Sequence, residues 1–131
     1  MNQLALDTNA LIRFLRDDHD VAAVFSGYDR LLIPAATDAE FRTGLGASTK
    51  RSRAALIRYE EFLRLDSVRF AAADERVSSR YAELMKYLLR NGKPIPTNDI
   101  WIASTALVHN AVLCTGDSHF DSVPLLRIDK I

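Results

Sequence analysis

The chain has 131 residues, which suits one compact domain, and 48% of them are hydrophobic, enough apolar material for a core. Its 17 basic and 17 acidic side chains cancel, a balance that counts against a dedicated high-affinity nucleic-acid binder but permits local patches. The single cysteine, Cys114, excludes an intrachain disulfide and a cysteine-based zinc site, and the histidines His19, His109 and His119 are scattered. No basic-then-apolar leader opens the chain and no apolar run is long enough to span a bilayer, so a soluble cytoplasmic protein without a membrane partner is expected.

Leu4-Ala5-Leu6-Asp7 reads as a short buried strand ending in an acid, with Thr8-Asn9 as helix-start chemistry for a helix over residues 10–16. Residues 20–28 fit a second helix, and Leu31-Leu32-Ile33, bounded by Pro34, a second strand. Residues 36–45 read as helix, with Thr37 or Asp38 near its start and Gly44 near its end. Residues 49–65 form a long helical candidate with Ala55, Tyr59, Phe62 and Leu63 on one face, and Val68-Arg69-Phe70 is a third strand. Val77, Tyr81, Leu84 and Leu88 stripe a helix over residues 74–90 that Asn91-Gly92 stops. Pro94 and Pro96 break the chain before a helix over residues 99–109, capped by Thr97 or Asn98 and deeply buried through Ile100, Ala103, Leu107 and Val108. Val112-Leu113-Cys114 is a fourth strand and Leu125-Leu126-Arg127-Ile128 a fifth. No repeat, linker or low-complexity segment interrupts the sequence.

Strands separated by helices imply right-handed crossovers and a mainly parallel sheet covered on both faces, an α/β fold. In such sheets, sites form beyond the carboxyl ends of the strands. Asp7 lies just after the first strand and Asp117 just after the fourth, while Asp99 opens the helix that leads into the fourth. If these acids and Glu40 meet, they repel one another and raise each other's pKa, and no Lys or Arg is built into the same motifs. A divalent cation would relieve the repulsion, and an oxygen-only ligand set favours Mg²⁺ or Mn²⁺.

Four short segments then carry a resemblance. Leu6-Asp7-Thr8-Asn9 resembles the opening motif of PIN domains, particularly those of VapBC toxins. Glu40, followed by Phe41 and Gly44, is similar to the second acidic motif, although Ala36-Thr37-Asp38-Ala39 before it is more polar than usual. Thr97-Asn98-Asp99-Ile100-Trp101-Ile102-Ala103 is similar to the third motif, and Thr115-Gly116-Asp117-Ser118-His119-Phe120 to the last. The motifs run in order over nearly the whole chain, so residues 1–131 are expected to be a single PIN-like domain. The resemblance implies a mainly parallel sheet of about four or five strands flanked by helices. It also implies a Mg²⁺- or Mn²⁺-dependent endoribonuclease that cleaves RNA needed for translation, a cognate antitoxin and a tendency to homodimerise.

On this reading Asp7, Asp99 and Asp117 are metal ligands, Glu40 assists, and activated water attacks phosphorus in line with the leaving 3′ oxygen. Each acid has a bland alternative. Asp7 could cap a helix, Asp99 could answer a helix dipole, Asp117 could serve a turn and Glu40 could be a solvated position. Asn9 and Thr115 are candidates to orient the carboxylates or the metal-bound water, and Asp121 is a supporting group behind the ligands, a ligand of a second metal or an exposed loop charge. Arg13, Arg16, Lys50, Arg51 and Arg53 are weaker candidates for RNA phosphate contacts. His119 stands beside Asp117, but metal can activate water without it. The rival readings are a structure-specific DNA nuclease, a phospho-signalling receiver domain and a non-catalytic antitoxin- or RNA-binding module. The receiver fits poorly, because Lys93-Pro94 precedes a helix and two further strands.

Overall fold

Among the described residues, 2–46 and 48–131 of the computed structural model, strands and helices alternate almost throughout. The order is β1 (Gln3–Leu6), α1 (Thr8–Leu15), α2 (His19–Phe25), β2 (Arg30–Pro34), α3 (Ala35–Gly44), α4 (Lys50–Leu63), β3 (Val68–Ala71), α5 (Glu75–Arg90), α6 (Thr97–Val108), β4 (Val112–Thr115) and β5 (Ile128–Lys130). A 3-10 turn, Ser118–Ser122, lies between the last two strands. The five strands form one sheet in the order β3-β2-β1-β4-β5, and every pairing is parallel.

The central strand, β1, has Leu4 opposite Leu31 of β2 on one side and opposite Val112 of β4 on the other. Side chains on a strand alternate between faces, so a strand covered on both sides must be apolar throughout. Leu4, Ala5 and Leu6 meet that demand, each with no exposed surface. Leu4, Leu6, Ile33 and Cys114 pack with Leu11, Val21, Phe25, Tyr59 and Phe62 under α1, α2 and α4. Ala5, Leu32 and Leu113 pack on the other face with Leu84 and Leu88 of α5 and Ile100, Ile102, Ala103 and Ala106 of α6. The alanines on both sides of that second interface let α6 lie close against the sheet. Phe14 joins the layers of the first face, stacking on Phe25 at 4.5 Å and meeting Phe62 at 5.2 Å.

The amphipathic stripes fall where the sequence puts them, with Val77, Leu84 and Leu88 of α5 buried and Tyr81 half-buried against Trp101 at 4.1 Å. Asn91 caps that helix and Gly92 follows at φ +63°, a left-handed turn residue. Three expected helix starts are shifted. Asp7, not Thr8 or Asn9, caps α1, with Thr8 already helical. Neither Thr37 nor Asp38 caps α3, which begins at Ala35 directly after Pro34. Likewise α6 begins at Thr97 behind Pro96, without a side-chain cap. In both cases proline fixes the extended residue before the helix and a side-chain cap is dispensed with. The last strand also differs from the expected 125–128. Leu125 takes a left-handed conformation, φ +66°, and is 89% exposed, so the chain turns there and only Ile128–Lys130 lies along β4.

Candidate active site

The chain order explains why distant acids can meet. From β1 the strands step outward through β2 to β3, then return to the other side of β1 for β4 and β5. The reversal leaves a crevice at the carboxyl ends of β1 and β4. Asp7 follows β1 immediately and Asp117 comes two residues after the end of β4. A crossover helix runs antiparallel to its strands, so its first turn sits over their carboxyl ends. Asp99 is in that first turn of α6, and Glu40 is on α3, which leaves directly from the end of β2.

Asp7 is 5% exposed and both its oxygens are engaged. Oδ1 accepts from the Ala10 amide at 2.8 Å, capping α1, and Oδ2 accepts from the Thr115 hydroxyl. Thr115 is fully buried, and its Oγ1 in turn accepts the Asp117 amide at 3.0 Å. One hydroxyl therefore ties the end of β4 to the acid of β1 and to the loop that carries the next acid. Asp117 Oδ1 accepts the His119 amide at 2.8 Å. The His119 ring closes the arrangement, its Nδ1 lying 3.2 Å from Asp99 Oδ2 and 3.2 Å from Asp117 Oδ1. Glu40 Oε1 accepts from Thr8 Oγ1 at 2.9 Å.

The electrostatics of the acids follow from burial first and from one another's charges second. Burial raises the Asp7 carboxyl above its ordinary value, against the hydrogen bonds from Thr115 and Ala10, and the charges of Asp117 and Asp99 push the same way. Burial also raises Asp99, partly offset by His119, with Asp117 and Glu40 adding to the rise. Among the described residues, no lysine or arginine hydrogen-bonds or ion-pairs with any of these four acids. Donor atoms of Asp99, Asp117 and His119 all lie within 4.8 Å of one another. Oxygen-rich, mutually repelling and short of cationic partners, the set suits a hard divalent ion.

The other sequence candidates divide. Thr115 joins the cluster. Asn9 is exposed in the first turn of α1, and Asp121 stands apart, its two oxygens 3.0 and 3.3 Å from Lys130 Nζ. Arg13 is paired with Asp18 at 2.9 Å, and Arg53 reaches Ser48 Oγ at 3.3 Å. Arg16 and Arg51, by contrast, line a cleft of about 580 Å³ between α1, α3 and α4, floored by Ile12, Leu15, Phe41 and Leu45, with Glu40 in its wall. Lys50 is exposed at the start of α4. His119 and Thr8 contribute more to the geometry than the sequence suggests; the one available sign is their position inside two of the acidic motifs. Cys114 takes no part, since burial pushes its thiol up to about 12.

The PIN domain model matches residues 4–126. Ribonuclease VapC1 of Haemophilus influenzae (strain R2866) is 32% identical over 114 residues, 84% of this chain and 83% of that protein. The structure of VapBC-1 from nontypeable Haemophilus influenzae superposes with a TM-score of 0.83 at 27% identity, covering 98% of this chain and 97% of that one. VapBC2 from Rickettsia felis, solved bound to a DNA fragment from its promoter, has the same fold at a TM-score of 0.86 and 22% identity, over 98% of both chains. A doubly wound parallel sheet with acids gathered at its switch point defines the class, and the chain belongs to the PIN-domain family. This is the family that the four sequence motifs resemble.

Proposed function

We propose that this protein is a divalent-metal-dependent endoribonuclease, the toxin of a toxin–antitoxin pair, which cleaves RNA needed for translation. The observation that carries the reading is the gathering of four carboxylates from four separate segments with, among the described residues, no lysine or arginine bonded to them. Asp7, Asp99 and Asp117 would hold Mg²⁺ or Mn²⁺, with Glu40 completing the acidic wall. A bound divalent ion supplies a lowered pKa for water and charge neutralisation at a scissile phosphate. Asp7 is held rigid by its two hydrogen bonds, and Thr115 fixes the distance between Asp7 and the Asp117 loop. Arg16 and Arg51 flank the cleft beside Glu40 and are disposed to take RNA phosphates. The products would be a 5′-phosphate and a 3′-hydroxyl.

The relatives support the biological setting. The curated one is named a ribonuclease, and the Haemophilus structure is that of a VapBC pair. We read the present chain as having a cognate antitoxin, a homodimeric state and a cytoplasmic site of action. Among the described residues, no helix is long and apolar enough to cross a membrane.

The test is to map new RNA 5′ ends in cells after brief induction, with Asp99→Asn as control, alongside cleavage of the same RNA by purified protein with and without EDTA. Discrete 5′-phosphate ends with wild type alone, lost on chelation, support the reading. Cleavage that survives chelation, or ends bearing cyclic phosphate, would overturn the metal mechanism. Folded protein that cuts only DNA would move the substrate to DNA.

A further inference from the structure

Two threonine hydroxyls sit either side of Asp7. Thr37, from the first turn of α3, is fully buried and donates to the Leu6 carbonyl at 2.8 Å. Thr8 donates in the opposite direction, from the start of α1 to Glu40 Oε1 on α3 at 2.9 Å. Leu6 and Thr8 bracket Asp7 in the chain, while Thr37 and Glu40 are three residues apart and so share a face of α3. The two bonds therefore fasten one face of α3 to the junction that carries Asp7. The helix has no side-chain cap to fix its start, and on another side Tyr59 donates to Asp38 Oδ1 at 2.6 Å, tying it to α4.

Thr8 has its hydroxyl available because Asp7 performs the capping of α1. A glutamate on a half-exposed helix face has several rotamers of similar energy, and orienting it costs side-chain entropy. A hydroxyl that gives its one proton to a carboxylate oxygen fixes the position of that oxygen. Glu40 is the only one of the four acids on α3, and its charge reaches Asp99 across the crevice.

We propose that Thr8 is a positioning residue of the acidic site: its hydroxyl holds the Glu40 carboxylate toward Asp99 so that Glu40 takes part in divalent-cation binding, with Thr37 setting the spacing between α3 and β1 on which that bond depends. The inference rests on the metal-dependent reading above, but it concerns a bond and a residue that reading does not use.

The test is Mn²⁺ affinity, followed by electron paramagnetic resonance of the free ion, for wild type, Thr8→Val, Thr8→Ser, Glu40→Gln and the double variant Thr8→Val/Glu40→Gln. kcat and KM on a cleaved RNA are measured in parallel. Loss of an orienting partner typically costs 10- to 100-fold, so Thr8→Val should weaken Mn²⁺ binding about tenfold and lower kcat to match, with KM little changed. Thr8→Ser should restore both, and adding Thr8→Val to Glu40→Gln should change neither. Wild-type Mn²⁺ affinity in Thr8→Val, or an undiminished loss in the Glu40→Gln background, overturns the proposal. Should valine crowd α1 and lower the melting temperature, Thr8→Ala carries the same comparison. A wild-type protein that binds Mn²⁺ yet cuts no RNA defeats the nuclease reading alone, since the affinity cycle still decides the role of Thr8.

Discussion

Among the described residues, three α-helices are capped at their start by an aspartate, and one of the three behaves differently from the others. Asp18 and Asp74 accept backbone amides at the solvent-facing starts of α2 and α5, and those bonds, from Val21 and Val77 respectively, lower their carboxyls below the ordinary value. Asp7 accepts the Ala10 amide in the same manner at the start of α1, yet its carboxyl is raised. The local motif is the same; burial and facing acids reverse its electrostatic outcome. The comparison separates a cap that stabilises the fold from one that holds a charge where the fold would rather not have it. Strain of that kind is expected at a functional site.

The sharpest way to break the comparison is activity. Asp7→Asn keeps a side-chain oxygen for the cap and removes the charge, and Asp99→Asn removes charge without touching a cap. Metal-based charge stabilisation is worth several kcal/mol, and each 1.4 kcal/mol is tenfold, so either change should lower RNA cleavage by roughly 10³-fold. Asp74→Asn should leave cleavage unchanged. A single-turnover assay on one RNA substrate measures all three, and equal losses at Asp7 and Asp74 would mean that the cap, not the charge, is what matters.

Thr115→Val comes next. It deletes the hydroxyl that serves Asp7 and leaves the Asp117 amide without its acceptor. The expected loss is about 10- to 100-fold in cleavage or metal affinity, with roughly 1–3 kcal/mol of stability lost from unsatisfied buried groups. Thr115→Ser should recover most of both in the same assays and in denaturant melts. If Thr115→Val proves indistinguishable from wild type, the rigidity of Asp7 comes from burial alone.

His119 ranks lower. It is half exposed, with its Nδ1 3.2 Å from Asp99 Oδ2 and 3.2 Å from Asp117 Oδ1. General acid–base catalysis by a positioned side chain contributes about 10²- to 10⁴-fold. His119→Asn should therefore cost less than about tenfold in kcat if the residue only helps hold Asp99 and Asp117. A loss of about 10²-fold or more would assign the ring a proton-transfer role.

Much of this site is legible before the fold. Asp7 and Asp117 follow apolar runs too short to be helices, and a parallel sheet puts strand-end residues on one edge. Glu40 and Asp99 depend on motif resemblance, because spacing alone does not tell one helical acid from another. What the sequence conceals are the bonds that orient the acids. Thr115 meets Asp7 across 108 residues and Thr8 meets Glu40 across 32, contacts that depend on tertiary packing. The helix starts differ from expectation for a related reason. Asp7, Thr8 and Asn9 are all good caps, and which of them is used depends on where β1 ends. The apolar pair Leu125-Leu126 suggests a strand, but left-handed Leu125 after Pro124 turns the chain instead.

The smallest effect, in stability, decides between the two kinds of cap by sign. A group whose folded pKa is raised gives stability that is complete below its unfolded value, here 3.8, and lost as pH climbs through the folded value. For Asp7, ionisation therefore burdens the metal-free folded protein, and Asp7→Asn removes that burden. Its melting temperature relative to wild type should rise as pH climbs from 3.8 through the raised folded value of Asp7. Asp18 and Asp74, being lowered, contribute stability above their unfolded value and lose it as pH falls through the folded one. Asp74→Asn should thus run the other way, gaining on wild type as pH falls through 3.8 and then through the lowered folded value of Asp74. Mn²⁺ sharpens the contrast, because an ion that binds only the folded protein adds about 2.7 kcal/mol at a hundred times its Kd. That increment belongs to wild type and to Asp74→Asn, and should shrink or vanish in Asp7→Asn. Scanning calorimetry of the three proteins across pH, with and without Mn²⁺, tests the signs directly. Parallel pH trends for Asp7→Asn and Asp74→Asn would show that the buried cap carries no special burden and that the difference between the two sites lies outside Asp7.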